Sequence, residues 1–156
     1  MAKRSAGLLL YRKVDGGSEV LLVHPGGPYW TRRDEGAWSV PKGEVDAGED
    51  PLEVARREFA EELGSGPPDG PVEPLGEVRQ PGGKLVIAWA LHGDFDTDEV
   101  RSNTFTLEWP RGSGTFREFP EVDRAEWFPL DVARVKMLGG QLPLLDRLAE
   151  MLRERG

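Results

Sequence analysis

The chain has 156 residues, no cysteine, and 20 Lys plus Arg against 28 Asp plus Glu, a formal net charge of −8. That length suits one domain spanning residues 1–156 with a core of its own, and the lack of Cys excludes disulfides, thiolate metal centres and cysteine nucleophiles. The acidic balance argues against a nucleic-acid polymer or an anionic membrane as partner, while leaving room for a small phosphorylated substrate, because a bound cation inverts the local field. The early apolar run Gly7 to Tyr11 is too short for a signal-peptide core or a membrane span, so the sequence reads as soluble and cytoplasmic.

Ala6 to Val14 reads as a strand, Asp15-Gly16-Gly17 as a turn, and Glu19 to His24 as the second strand of a hairpin. Pro25 to Gly36 reads as a loop, and Trp38 to Val40 as a short strand leading into Pro41-Lys42-Gly43. Asp50 to Leu63 is the clearest helix: Asp50 suits the N-cap, Pro51 the first helical position, Glu53 the reciprocal place of a capping box, and Gly64 the C-terminal stop. Val72 to Arg79 and Lys84 to His92 read as strands around a Gln80 to Gly83 turn. Asn103 to Trp109 alternates Thr104, Thr106 and Glu108 with Phe105, Leu107 and Trp109, as a strand does. Arg124 to Phe128 reads as a short strand and Leu130 to Met137 as a short helix. Leu142, Leu145, Leu148 and Leu152 recur at helical spacing, a stripe for core packing or for a homodimer contact. Strands that dominate the middle, with one helix early and one late, predict an α/β fold with one sheet covered by helices.

The chemistry concentrates between Gly43 and Ser65. At about 100° per residue, Leu52, Ala55, Phe59 and Leu63 form an apolar stripe, and Glu58, Glu61 and Glu62 gather beside it. Like charges at that spacing repel on a bare helix by a few tenths of a kcal/mol per pair, roughly. A cation would offset this, and hard oxygen ligands without His or Cys suit Mg²⁺ or Mn²⁺. The same acids would also serve as a plain solvated helix face.

The longer spacing decides between these. Gly43, Glu49, Arg57, Glu58, Phe59, Glu61, Glu62 and Gly64 fit the pattern G-x5-E-x7-R-E-U-x-E-E-x-G-U, where U is bulky and apolar, and in this the segment 43–65 resembles the signature box of the Nudix hydrolases. Ser65 departs from the pattern at its final apolar position. The resemblance implies an α/β/α sandwich around a central mixed β-sheet, and hydrolysis of a pyrophosphate bond in a nucleoside diphosphate linked to another moiety. It implies Mg²⁺, or Mn²⁺, as cofactor, held by Glu58 and Glu62, with Glu61 as a third ligand or as the base that orients water and the Gly43 carbonyl in the metal shell. It makes Arg57 and Glu49 a structural ion pair. Lys42 stands where it would meet phosphate. One further carboxylate from a later loop is expected, Glu121 ahead of Glu118.

Other signals are weaker. Asp94 to Asp98 begins like a calcium loop, but Glu99 replaces its Gly and Phe105 its final Glu. Gly82-Gly83-Lys84 lacks the remainder of a phosphate-binding P-loop. His24 and His92 are too few for a zinc site. Trp38, Trp89, Trp109 and Trp127 lie on strands and suit the core. Tyr29 and Trp30, near Arg32 and Arg33 in a Gly/Pro loop, suit either nucleotide recognition, by stacking and phosphate contact, or self-packing of the loop. The opening Ser5 to Tyr11 and the Trp38 to Gly43 approach to the box look like those of diadenosine-polyphosphate hydrolases and nucleoside-triphosphate pyrophosphohydrolases. A nucleotide-binding sensor that does not hydrolyse is the alternative on the same fold.

Overall fold

The computed structural model describes residues 3–155. Strand β1 (Arg4–Val14) turns at Gly16, where φ is 85°, into β2 (Gly17–Pro25). The main sheet runs β4 (Val72–Arg79), β5 (Leu85–His92), β1, β2 and β8 (Val122–Pro129), with β3 (Lys42–Glu44) added to β1. Only β1 and β5 are parallel, which makes the sheet mixed.

The sheet is forked. One edge of β1 pairs with β5 from Arg4 to Tyr11. Its other edge serves two partners: Tyr11 to Val14 pair with β2, while Ser5 to Gly7 pair with β3. Beyond the fork β2 bridges to Ser39 through Val23. The segment from Trp38 to Glu44 is thereby wedged between the diverging strands. Gly7 permits the wedge, because a Cβ there would lie 2.6 Å from the Pro41 carbonyl oxygen.

Side chains alternate across the sheet and build two cores. On one face Ala6, Leu8, Leu10, Leu21 and Val23 meet Val54, Ala55, Phe59 and Leu63 of helix α1 (Pro51–Leu63). On the other, Leu9, Val20, Leu22, Val86 and Ala88 meet Trp38, Ala133 of α2 (Leu130–Lys136), and Leu144, Leu145 and Leu148 of α3 (Leu142–Arg155). The result is the expected α/β/α sandwich. Leu142 and Leu152 pack on the same core, so the C-terminal stripe is used inside this chain.

Three elements differ from the sequence reading. The ladder pairing expected at Trp38 to Val40 is reduced to single bridges at Trp38 and Ser39, and the strand lies at Lys42–Glu44, where the fork gives it a partner. Val54 belongs to the buried face of α1, whereas Leu52 is half-buried at its rim. A second sheet, β6 (Thr104–Glu108) with β7 (Phe116–Pro120), contains a strand that the sequence did not announce. No residue of β7 is buried, and Phe116 is 66% exposed, so its composition carries no inside–outside alternation to read.

Phe59 is fully buried between α1 and the sheet, and Asp50 caps the helix. Phe59→Ala is expected to lower stability by about 3–5 kcal/mol and Asp50→Ala by about 1 kcal/mol. Urea unfolding followed by circular dichroism reads both.

Candidate active site

Helix α1 begins where its sequence directs. The Asp50 carboxylate accepts from the Glu53 amide at 3.1 Å, and Gly64 ends the helix in the left-handed region with φ 89°. That fixed rod presents Glu58 and Glu62, four residues apart, on one face. Behind it, Glu49 clasps loop to helix: one oxygen accepts from Arg57 at 2.7 Å, the other from the Asp46 amide at 2.9 Å. The Arg57 bond first, then the Asp46 amide, hold the Glu49 carboxyl below its ordinary range. Arg57 also lies 3.8 Å from Glu58 and 4.0 Å from Glu61.

The wedge of the fork meets this helix closely. A Cβ on Gly43 would fall 2.0 Å from Cδ of Glu58, so the β3 backbone leaves space that the carboxylate occupies. Gly43, Glu58 and Glu62 line a polar pocket of about 310 Å³ together with Lys42, Lys84, Asn103 and Glu121. Lys42, Glu62 and Glu121 also line an adjoining cleft of about 210 Å³, whose other walls include Trp30, Val40, Val122 and Leu138.

Glu121 arrives here through backbone. The Asn103 amide donates to the Glu61 carbonyl at 2.8 Å, the Glu121 amide to the Asn103 carbonyl at 2.8 Å, and the Gly26 amide to the Glu121 carbonyl at 3.0 Å. This chain of bonds joins the end of α1, both ends of the β6–β7 hairpin and the start of the Pro25 to Gly36 loop.

Electrostatically the pocket is loaded. Burial pushes the Glu62 carboxyl up to about 8, with Glu58 and Glu121 adding to the rise and Lys42 opposing it. Burial, then the neighbouring Glu61, raise Glu58 as well. Burial and the charge of Lys84 lower Lys42, against the pull of Glu62, Glu58 and Glu121. Among the described residues no three carboxylate or imidazole groups already form a closed cage. The donor set nevertheless fits a hard divalent cation: carboxylate oxygens beside an unobstructed glycine backbone, and partly desolvated acids whose ionisation a cation would favour.

The remaining expected residues fall in different places. Glu61 lines neither pocket; its side chain is 44% exposed beside Arg57. Glu118 is exposed on β7 opposite Thr106 and lines neither pocket. Trp30 is half-buried against the α3-side core and forms part of the cleft wall. Tyr29 is 52% exposed and turns its edge to Trp109, with ring centroids 5.4 Å apart. Arg32 is exposed and lines neither pocket. Lys84 and Asn103 were not anticipated. Each is an ordinary polar residue in sequence, and only the parallel pairing of β5 and the bond to Glu61 bring them in.

An acidic, cation-competent pocket at the fork of a mixed sheet defines a class, and sequence comparison names it. The model of the NUDIX domain matches residues 1–148, and the chain belongs to the Nudix family. It is 42% identical over 62 residues to the asymmetrical bis(5'-nucleosyl)-tetraphosphatase of Caenorhabditis elegans, covering 40% of this chain and 41% of that protein. It is 32% identical over 142 residues to an 8-oxo-(d)GTP phosphatase of Mycolicibacterium smegmatis, covering 83% of this chain and 36% of that one. The curated relatives are thus matched over less than half their length. In structure, the C. elegans Ap4A hydrolase in a binary complex superposes with a TM-score of 0.67 at 24% identity, over 96% of this chain and 98% of that one. The NUDIX domain of Shewanella oneidensis NrtR, complexed with ADP ribose, gives 0.67 at 20% identity, over 97% and 89%. These likenesses show the fold. Among the described residues no helix is long and apolar enough to cross a membrane.

Two outcomes follow from the pocket. Gly43→Ala forces the Glu58 carboxylate aside and is expected to weaken Mn²⁺ binding about tenfold or more, measured by calorimetry. The raised Glu62 gives a pH signature. Between the ordinary glutamate value of 4.5 and about 8, the folded chain holds a proton that the unfolded chain has released. Stability of the metal-free protein through this group therefore falls as pH rises across that window and is level above it. Divalent cation should restore it, with a melting-temperature gain that grows toward pH 8.

Proposed function

We propose that the protein is a divalent-cation-dependent pyrophosphohydrolase of nucleotides, acting on a dinucleoside polyphosphate or a nucleoside triphosphate, with Mg²⁺ as the ordinary cofactor and Mn²⁺ as a substitute. The observation that carries this reading is the shared pocket, in which Glu58, Glu62 and Glu121 face Lys42 and Lys84 beside a glycine backbone. Carboxylates alone would repel a polyphosphate. With a cation between them and two ammonium groups at the rim, the same pocket attracts one. The matched relatives named above are a bis(5'-nucleosyl)-tetraphosphatase and an 8-oxo-(d)GTP phosphatase, which supports the substrate class.

Glu58, Glu62, Glu121 and the Gly43 carbonyl would hold the cation, which supplies Lewis-acid polarisation of phosphoryl oxygens and acidified water when bound. Lys42 and Lys84 hold the non-bridging oxygens and hold the bond to be broken in place. Glu61, exposed next to Glu58, accepts a proton from the attacking water. The water oxygen bonds to phosphorus, the bridging P–O bond breaks, and the departing phosphate leaves with its electron pair. Arg57 and Glu49 act through geometry: they keep the box loop against the helix and touch no reacting atom. The adjoining cleft, with Trp30 on its wall, receives the nucleoside, and Tyr29 and Arg32 meet the outer part of a longer substrate. A small nucleotide is the partner this reading assigns to the pocket and its adjoining cleft.

Glu62→Gln removes charge without volume and is expected to lower kcat by about 10²–10³ with the fold retained. Glu49→Gln should be gentler, about tenfold. Release of phosphate products from the triphosphates, 8-oxo-dGTP, diadenosine tetraphosphate and ADP-ribose, with and without chelator, reads both variants and selects the substrate. Binding of one of these without turnover, by parent and Glu62→Gln alike, would favour the sensor reading.

A further inference from the structure

His24 ends the buried run of β2 and is fully buried. Its Nδ1 lies 2.8 Å from Oδ1 of Asp123, and its Nε2 lies 2.6 Å from the Arg33 carbonyl oxygen. A carbonyl oxygen and a carboxylate both accept and neither donates. Both ring nitrogens are thus engaged, one by the loop and one by the strand. The ring also stands edge-on to Trp38, with centroids 5.2 Å apart, and Trp38 donates to Asp34 at 2.8 Å.

These contacts join three segments. Asp123 is on β8, two residues past Glu121; Arg33 is in the Pro25 to Gly36 loop; Trp38 opens the wedge that delivers Lys42 and Gly43. Loop 25–36 also packs through Trp30 on the core and through Tyr29 on Trp109. Thr31 returns only to Gly27 within the loop, and Gly26 reaches the Glu121 carbonyl. The loop's far end is held by Lys136 on Asp34 and by the Gly36 amide on the Val135 carbonyl. The charged groups around His24 are Asp123 beside it, Arg124, whose guanidinium lies 5.1 Å over the Trp38 ring, and the Asp34–Lys136 pair beyond that ring.

We propose that His24 is a buried brace that positions the nucleotide-recognition loop: one ring nitrogen meets the Arg33 carbonyl, and the other meets Asp123 on β8, the strand that begins next to Glu121. It is a positioning residue that touches no reacting atom. The Arg33 amide donates to the carbonyl of Trp30 on the cleft wall at 2.9 Å, so losing the brace lets the wall drift while Glu58 and Glu62 stay on their helix. The reading of loop 25–36 as the substrate's seat comes from the proposed function, and the brace from His24 to Arg33 and Asp123 stands without it.

The test compares His24→Phe, which keeps ring packing on Trp38, with Asp123→Asn, which keeps shape and weakens the bond to the ring. Either variant that folds is expected to raise KM, or the calorimetric Kd of a non-hydrolysable triphosphate with Mg²⁺, about tenfold, as loss of one or two buried hydrogen bonds predicts. The kcat at saturation and the affinity for Mn²⁺ alone should change less than about threefold, as expected of a residue remote from the metal-side carboxylates. A merely structural knot would lower the melting temperature and leave KM and Kd of the folded protein unchanged, and that result overturns the proposal. Were the parent to bind triphosphate without hydrolysing it, the Kd comparison would still decide the role of His24, while the hydrolase reading alone would fail.

Discussion

Burial of Glu58 and Glu62 in one shared pocket is the constraint on which the rest of the structure depends. Burial pushes both carboxyls up, and the neighbouring charge of Glu121 adds to each rise. A chain keeps such a group together only by holding each member rigidly from behind. Here α1 holds two of them through a capped start, a glycine stop and a buried Phe59 face. The third is held by backbone bonds through Asn103 and Gly26. Lys42 and Lys84 offset part of the load, and a divalent cation would offset the remainder. The fork in β1 is the topological counterpart: it opens the sheet where the acids gather and threads Gly43 against Glu58 without a Cβ in the way.

The same rigidity separates chemistry from recognition. The box side of the pocket is built on a helix and on ladder-bonded strands, whereas the adjoining cleft takes Trp30 from loop 25–36 into its wall. Tyr29 against Trp109 and Gly27 beneath Phe105 pack that loop on the β6–β7 hairpin, and a Cβ on Gly27 would lie 2.9 Å from the Phe105 ring. One fold can thus keep its metal-side geometry while the loops around the cleft change what hangs from the far phosphate.

Much of this was legible in the sequence. The helix from Pro51 to Leu63, the hairpin around Gly16 and the pair of strands around Gln80 follow from caps, turn residues and period, which are local signals. The box acids were legible because their spacing is long and specific. Glu121 was nameable only through the resemblance, since its neighbours give no local reason for it to face Glu62. Strand β7 was illegible because both its faces meet solvent. Lys84 and Asn103 were illegible for another reason: each reaches the pocket through a partner far away in sequence, β1 for the one and Glu61 for the other. His24 was read as a residue at the end of a strand, and its two acceptors became visible only once Arg33 and Asp123 were placed around it.

Anomalous diffraction from crystals grown with Mn²⁺ and a non-hydrolysable triphosphate tests the central claim most directly. The account predicts a manganese peak bounded by the carboxylates of Glu58 and Glu62 at the Gly43 backbone, with Glu121 turned toward it and the phosphates against Lys42 and Lys84. A triphosphate bound elsewhere, or a bound metal that leaves Glu58 and Glu62 without contact, would contradict it.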